Sequence, residues 1–139
     1  MSEPGQPQLD ALQDRLCYRF SDLTLLKRAL THRSAGRHHN ERLEFLGDAV
    51  IGLAAASAFY HRFPDADEGV LSRLRALVVS GHSLAAIAKD RDLSSCLILG
   101  ESERKSGGRH RDSILANTLE ALLGAVALDA GPETALQVA

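Results

Sequence analysis

The chain has 139 residues, 45% of them hydrophobic, which is enough apolar material for one globular domain with its own core. Only 4% are aromatic and none is Trp, while Leu and Ala abound, a composition that speaks against sandwiches and barrels and for helices. The net charge of −2 excludes a generally basic protein, so a nucleic-acid partner would have to be held by a local basic patch.

Residues 1–9, "MSEPGQPQL", read as a flexible lead into a domain spanning 10–139. Leu12, Leu16 and Phe20 then mark a short amphipathic helix. A second helix runs through Leu25, Leu26 and Leu30, with Ser21 or Asp22 as its cap. "RSAGRHHN" is a loop, and residues 40–62 form the long central helix, ending before Pro64. "PDADEG" leads into a helix through Val70, Leu71, Leu74, Leu77 and Val78, followed by a shorter one over 82–90. Residues 101–112, "ESERKSGGRHRD", read as a polar loop, and the last clear helix covers 112–129, stopped near Gly131 and Pro132. No strand-like alternation persists, so the expected fold class is an all-α helical bundle of six or seven helices. Cys17 and Cys96 lie far apart in apolar surroundings and read as buried thiols of a reducing compartment. No signal peptide is visible, and no apolar run approaches the roughly 20 residues needed to cross a bilayer. A soluble, cytoplasmic protein without a membrane partner is the expectation.

The central segment "NERLEFLGDAVIG" places Glu41, Glu44 and Asp48 within an otherwise apolar helix. At about 100° per residue the three acids share an arc of roughly 60°, apart from the core face expected of Leu43, Leu46, Val50 and Leu53. A solvated acidic face is one reading of this arc. Against it, the arc holds no compensating Lys or Arg at i±4 among its own members, and Gly47 and Gly52 interrupt the helix where close backbone approach would explain them. The later segment 114–128 is apolar nearly all round except for Asn117, Thr118 and Glu120. Asn117 and Glu120 share one side, with Gly124 between them in angle. A carboxylate on a buried helix is costly unless it is paired or binds a cation. Two acidic stripes facing each other would repel, and a hard cation such as Mg²⁺ or Mn²⁺ between them is the economical remedy. Of the six histidines, His38, His39 and His110 lie in polar loops and read as exposed or near a phosphate rather than as ligands. Phe45 adjoins the acidic arc and reads either as a satellite core contact or as an exposed knob at an interface.

These residues resemble a known family. "NERLEFLGDAVIG" is similar to the signature of the ribonuclease III endonuclease domain, and ordered matches surround it: "LLKRALTHRSA", "EGVLSRLRALVVS", "GGRHRDSILAN" and "LEALLGAVALDAG". The resemblance implies an all-α bundle of the ribonuclease III endonuclease-domain type that works as a homodimer and cleaves double-stranded RNA. It implies that Glu44, Asp48, Asn117 and Glu120 bind metal, with Asp48 and Glu120 catalytic and Glu41 and Glu68 as supporting acids. Phe45 would plug into the partner subunit, while Thr31, His32, Arg33, Ser34, Arg109 and Arg111 would lie near RNA. For the two arginines a solvated loop is the alternative reading. The implied cofactor is Mg²⁺, with Mn²⁺ able to substitute. The implied products carry 5′-phosphate and 3′-hydroxyl ends, and the implied biological setting is rRNA and mRNA processing. Such hydrolysis needs an activated water, neutralisation of charge on the reacting phosphate and a stabilised leaving oxygen, all of which two divalent cations can supply.

The chain departs from the family pattern at one site position. Where the family commonly has Asp in an A-D-x-x-E arrangement, this sequence reads "ANTLE", and Asn117 keeps a carbonyl oxygen but no charge. A tolerated natural variant, an inactivating change and a member drifting from catalysis are all compatible with that. The chain also ends at Ala139, part-way into what should be a closing helix, without the RNA-binding domain that commonly follows in the family. Two rivals are carried: a catalytically weak RNA-binding or scaffolding member, and an all-α Mg-dependent nucleotide pyrophosphatase. The second would explain the paired acids but not Phe45 or the "GGRHRDS" loop.

Overall fold

The structure is a computed structural model describing residues 3–139; Met1 and Ser2, part of the expected flexible lead, lie outside the described residues. Two long helices, α3 (Glu41–Arg62) and α7 (Asp112–Ala130), form the axis of an all-α bundle. Around them stand α1 (Gln6–Leu16), α2 (Leu23–Leu30), α4 (Glu68–Val78), α5 (Gly81–Asp90), α6 (Glu101–Lys105) and α8 (Pro132–Val138). Among the described residues the one β-type pairing is an isolated parallel bridge between Thr31 and Ile98.

Local chemistry starts and stops these helices where the bundle needs them. Asp22 accepts from Thr24 N at 3.0 Å, Asp67 from Val70 N at 3.0 Å and Ser80 from Ser83 N at 3.2 Å, capping α2, α4 and α5. At the far end of α7, Asp129 accepts from Tyr18 Oη at 2.5 Å and from the backbone N–H groups of Ser21 and Asp22 at 2.8 and 2.9 Å. That carboxylate ties the end of α7 to the start of α2. Gly131, at φ +98, then turns the chain into α8 with Pro132 at its first position.

The crossing of α3 and α7 is closer than side chains permit. A Cβ on Gly47 would lie 1.6 Å from the Glu120 carbonyl oxygen, and one on Gly124 would lie 2.2 Å from the Leu43 carbonyl oxygen. The two glycines thus let the backbones touch, each accommodating the other helix. Gly52, by contrast, has nothing within 4 Å of where its Cβ would stand, so close approach explains Gly47 but not Gly52. The contact also decides which side of α3 is buried. Leu43, Gly47, Val50, Ile51 and Ala55 form that side, rotated toward the glycine from the face expected from apolarity alone. Leu53, expected in the core, is 56% exposed as a result, and Leu46 is half-buried.

Several further expectations are corrected. Residues 6–9 are helical, not a flexible lead, because Leu9 packs into the core at 1% exposure beside Leu12. Phe20 is buried but lies outside α1: the chain leaves the helix through Cys17 at φ +58, and buried Gln13 receives the Phe20 N–H at 2.7 Å. Cys17 is exposed at that turn; Cys96 is buried as expected. The polar stretch 101–112 holds α6 and a short 3-10 turn at Gly108–His110, not loop alone. Helices α3 and α7 are also long and apolar enough to cross a bilayer by length and composition, contrary to the expectation from run length. Glu44, Asp48 and Glu120 lie within those spans, a costly placement in lipid, and α7 is spent on the protein's own core.

The glycine contrast is testable by thermal or urea unfolding. Gly47→Ala should cost about 3 kcal/mol, since backbone must move to admit the methyl group. Gly52→Ala should gain up to about 1 kcal/mol from helix propensity.

Candidate active site

The helix crossing assembles the acids. Glu44 and Asp48 flank Gly47 on α3, and Glu120 is the α7 residue whose backbone meets that glycine. Glu120 and Glu44 are half-buried and Asp48 is exposed. Burial, a hydrogen bond with Asp48 and the nearby charges of Asp48 and Glu44 push the Glu120 carboxyl up to about 8. Burial and the charges of Glu41 and Asp48 also raise Glu44. None of the ion pairs among the described residues involves Glu44, Asp48 or Glu120. Near pH 7 Glu120 therefore keeps its proton and is hydrogen-bonded to Asp48.

Glu41 sits at the rim, 3.8 Å from Arg33 and 3.7 Å from His39, and joins Glu44 in a polar pocket of about 240 Å³. The pocket also receives Asn117 from α7, His32 and Arg33 from the loop after α2, and Arg111 from the turn before α7. Asn40 anchors this arrangement: it is buried, donates from Nδ2 to Ala29 O at 2.9 Å, and its N–H reaches Thr31 O at 2.9 Å. The start of α3 is thereby fixed to the end of α2. Ser34 Oγ accepts from Gly100 N at 2.9 Å and lies 2.8 Å from His32 Nδ1, which also accepts from Ser34 N at 3.1 Å. Accepting at Nδ1 leaves the His32 proton on Nε2. Thr31 serves the backbone, donating from Oγ1 to Lys27 O at 2.6 Å and pairing with Ile98.

Two expected site residues stand elsewhere in the single chain. Arg109 turns inward and donates to the carbonyls of Ser94 and Leu97 at 2.9 and 3.1 Å, and it is not among the residues lining the polar pocket. Glu68 is exposed in the first turn of α4, and no hydrogen bond or ion pair among the described residues joins it to the acidic cluster. Phe45 is 83% exposed, beside an open depression that it lines with Leu25, Leu46 and Leu128. The core-contact reading of Phe45 is thus set aside. Glu103, Ser113 and Asn40 also line the pocket; Glu103 was hidden in the sequence because "ESERK" reads as a solvated charge run that only tertiary contacts bring back.

The donor set suits a hard divalent cation. It consists of carboxylates and an amide oxygen, without thiols or clustered imidazoles, and Glu44, Asp48, Asn117 and Glu120 are the residues that would hold one. Among the described residues no three His, Cys, Asp or Glu groups converge as a finished metal cage. The Glu120–Asp48 bond would have to open, with loss of the Glu120 proton, for a cation to enter.

Fold and site together define an all-α nuclease domain. The family model for ribonuclease-III-like domains matches residues 22–139, and the chain belongs to that family. It superposes on the nuclease domain of ribonuclease III from Campylobacter jejuni with a TM-score of 0.92 at 42% identity, covering 94% of this chain and 92% of that one. That structure is described for flexibility in its region involved in dimer formation. A second structure of the same Campylobacter domain matches with a TM-score of 0.90, again at 42% identity, over 94% of this chain and 89% of that one. Dicer from Pichia stipitis is more distant: TM-score 0.66, 30% identity, 83% of this chain and 50% of that one. The chain is a ribonuclease III-type endonuclease domain.

The raised Glu120 carboxyl has a stability signature. Its folded value of about 8 lies above the ordinary 4.5, so its stabilising contribution is full below about 4.5 and is lost as pH rises through about 8. Without divalent cations the melting temperature should fall over that window, and Glu120→Gln should flatten the fall and raise the melting temperature at pH 8 by roughly 3–5 °C.

Proposed function

We propose that this domain is a Mg²⁺-dependent endoribonuclease that hydrolyses double-stranded RNA to 5′-phosphate and 3′-hydroxyl ends, with Mn²⁺ able to substitute. The observation that carries the reading is the uncompensated Glu44–Asp48–Glu120 cluster at the α3–α7 crossing, beside a pocket lined by Arg33, Arg111 and His32. Divalent cations bound there would supply Lewis-acid stabilisation of the phosphate and a more acidic water. The chain's own residues do the rest. Asp48 and Glu120 hold the charge, Glu44 and Asn117 complete the donor set, and Glu41 keeps Arg33 at the pocket rim. His32, Arg33 and Arg111 offer donors to the RNA backbone, and Thr31 and Ser34 shape the loop that presents them. Recognition through phosphates and 2′-hydroxyls suits duplex RNA read by shape.

The working unit is a homodimer, seated through Phe45 and its neighbouring depression, which pairs two cutting sites across one duplex. The exposed Glu68 acts as a supporting acid in that assembly. The Campylobacter domain, with its dimer-forming region, supports this reading. Processing of rRNA and mRNA in the cytoplasm is the biological setting proposed.

Cleavage of a labelled RNA duplex at low salt, with Mg²⁺ titrated against an EDTA control, tests the activity. Staggered cuts that vanish with EDTA are expected, and Glu120→Gln should lower the rate at least about 100-fold. Asn117→Asp restores a full charge and should raise activity about tenfold at limiting Mg²⁺, which is about 1.4 kcal/mol in cation binding. Cutting by Asn117→Asp alone would make the parent chain the catalytically weak member; silence from both would sink the nuclease reading. Hydrolysis of nucleotides with RNA left intact would instead favour the pyrophosphatase.

Phe45→Ala should shift the dimer to monomer in sedimentation velocity while leaving the far-UV circular dichroism unchanged. A dimer of undiminished affinity would place the interface elsewhere.

A further inference from the structure

Glu103, like Glu41 at Arg33, is an acid paired with a cation of the pocket wall, and it is the more enclosed of the two. Its carboxylate lies 3.4 Å from Arg111 Nε and accepts from Ser106 Oγ at 3.3 Å. Arg111 Nη2 in turn donates to the same Ser106 Oγ at 3.3 Å, closing a three-residue ring. The seat is shaped for it: a Cβ on Gly108 would stand 2.7 Å from Glu103 Cγ and 2.9 Å from Oε2. Glu103 is also only 20% exposed at its side chain, against 52% for Arg111. Both residues line the polar pocket with His32, Arg33, Glu44 and Asn117.

We propose that Glu103 is a specificity-determining residue: in the RNA-free domain its carboxylate occupies the anion seat at Arg111 that an RNA phosphodiester takes on binding. The inference rests on the double-stranded-RNA reading above and deepens it. A carboxylate oxygen beside a guanidinium N–H presents the same charge and acceptor as a non-bridging oxygen of a phosphodiester. An incoming strand must displace Glu103 before it gains Arg111. A ligand with one or two phosphate contacts does not recover that cost, whereas a duplex that engages several cations at once does. The internal pair thus suppresses capture of loose anions and short single strands, which is specificity by a built-in competitor.

The test measures binding in EDTA, so it does not depend on cleavage. A short fluorescent RNA duplex and its isolated single strand are titrated against the parent chain, Glu103→Gln, Arg111→Gln and the double variant. Glu103→Gln should tighten the single strand about fivefold and the duplex less, so that the preference for duplex narrows. That gain should disappear when Arg111→Gln is also present. Glu103→Ala serves as a second variant, and thermal melts establish that each protein is folded. Equal or weaker binding by folded Glu103→Gln and Glu103→Ala overturns the inference, as does a gain that survives Arg111→Gln. If the folded parent chain and its Glu103 variants all fail to bind duplex RNA, the functional reading itself falls, and this inference with it.

Discussion

The structure depends on the contact of α3 with α7 at Gly47 and Gly124. Two helices this apolar would pack in any case, but side chains at the crossing would hold their axes apart. With hydrogen atoms in those two places, the Glu120 carbonyl and the Gly47 Cα come within contact distance. The consequences are geometric and electrostatic together. The acid-bearing stripe of α3 is drawn against the acid-bearing stripe of α7, and the buried side of α3 is set by the glycine, not by its most apolar residues. Leu53 and Phe45 are left outside for the same reason.

The charges around this crossing are distributed unevenly. The acids on the axis have no basic partner among the described residues, so repulsion is relieved by a proton on Glu120. The basic groups one shell further out are almost all engaged: Arg33 with Glu41, Arg111 with Glu103 and Ser106, Arg109 with backbone carbonyls. A polyanion with its counterions can exchange both sets of contacts at once, bringing cations to the acids and phosphates to the arginines. The acidic cluster and the basic pocket thus stand side by side at one helix crossing.

Much of this was legible along the chain. The apolar periodicity of 40–62 and 112–129, the cap at Asp22 and the stop at Gly131–Pro132 are local signals, and the helices stand close to where those signals put them. The carboxylates were legible as well, since three uncompensated acids on a helix arc and a lone Glu on an apolar helix are anomalies within single segments. What could not be read were features made by contacts between segments. The core register of α1, which draws residues 6–9 into helix, depends on packing for Leu9 and Leu12. The inward turn of Arg109 depends on the carbonyls of Ser94 and Leu97, and nothing in "GGRHRDS" separates it from Arg111.

Helix periodicity and the cost of burying a carboxylate act within one segment, and they suffice for an all-α bundle and the identities of its acids. Packing between segments makes Gly47 and not Gly52 the crossing point, brings Glu103 among the arginines and leaves Phe45 facing outward. Those outcomes follow from which backbones touch, and that is a property of two helices together, not of either alone.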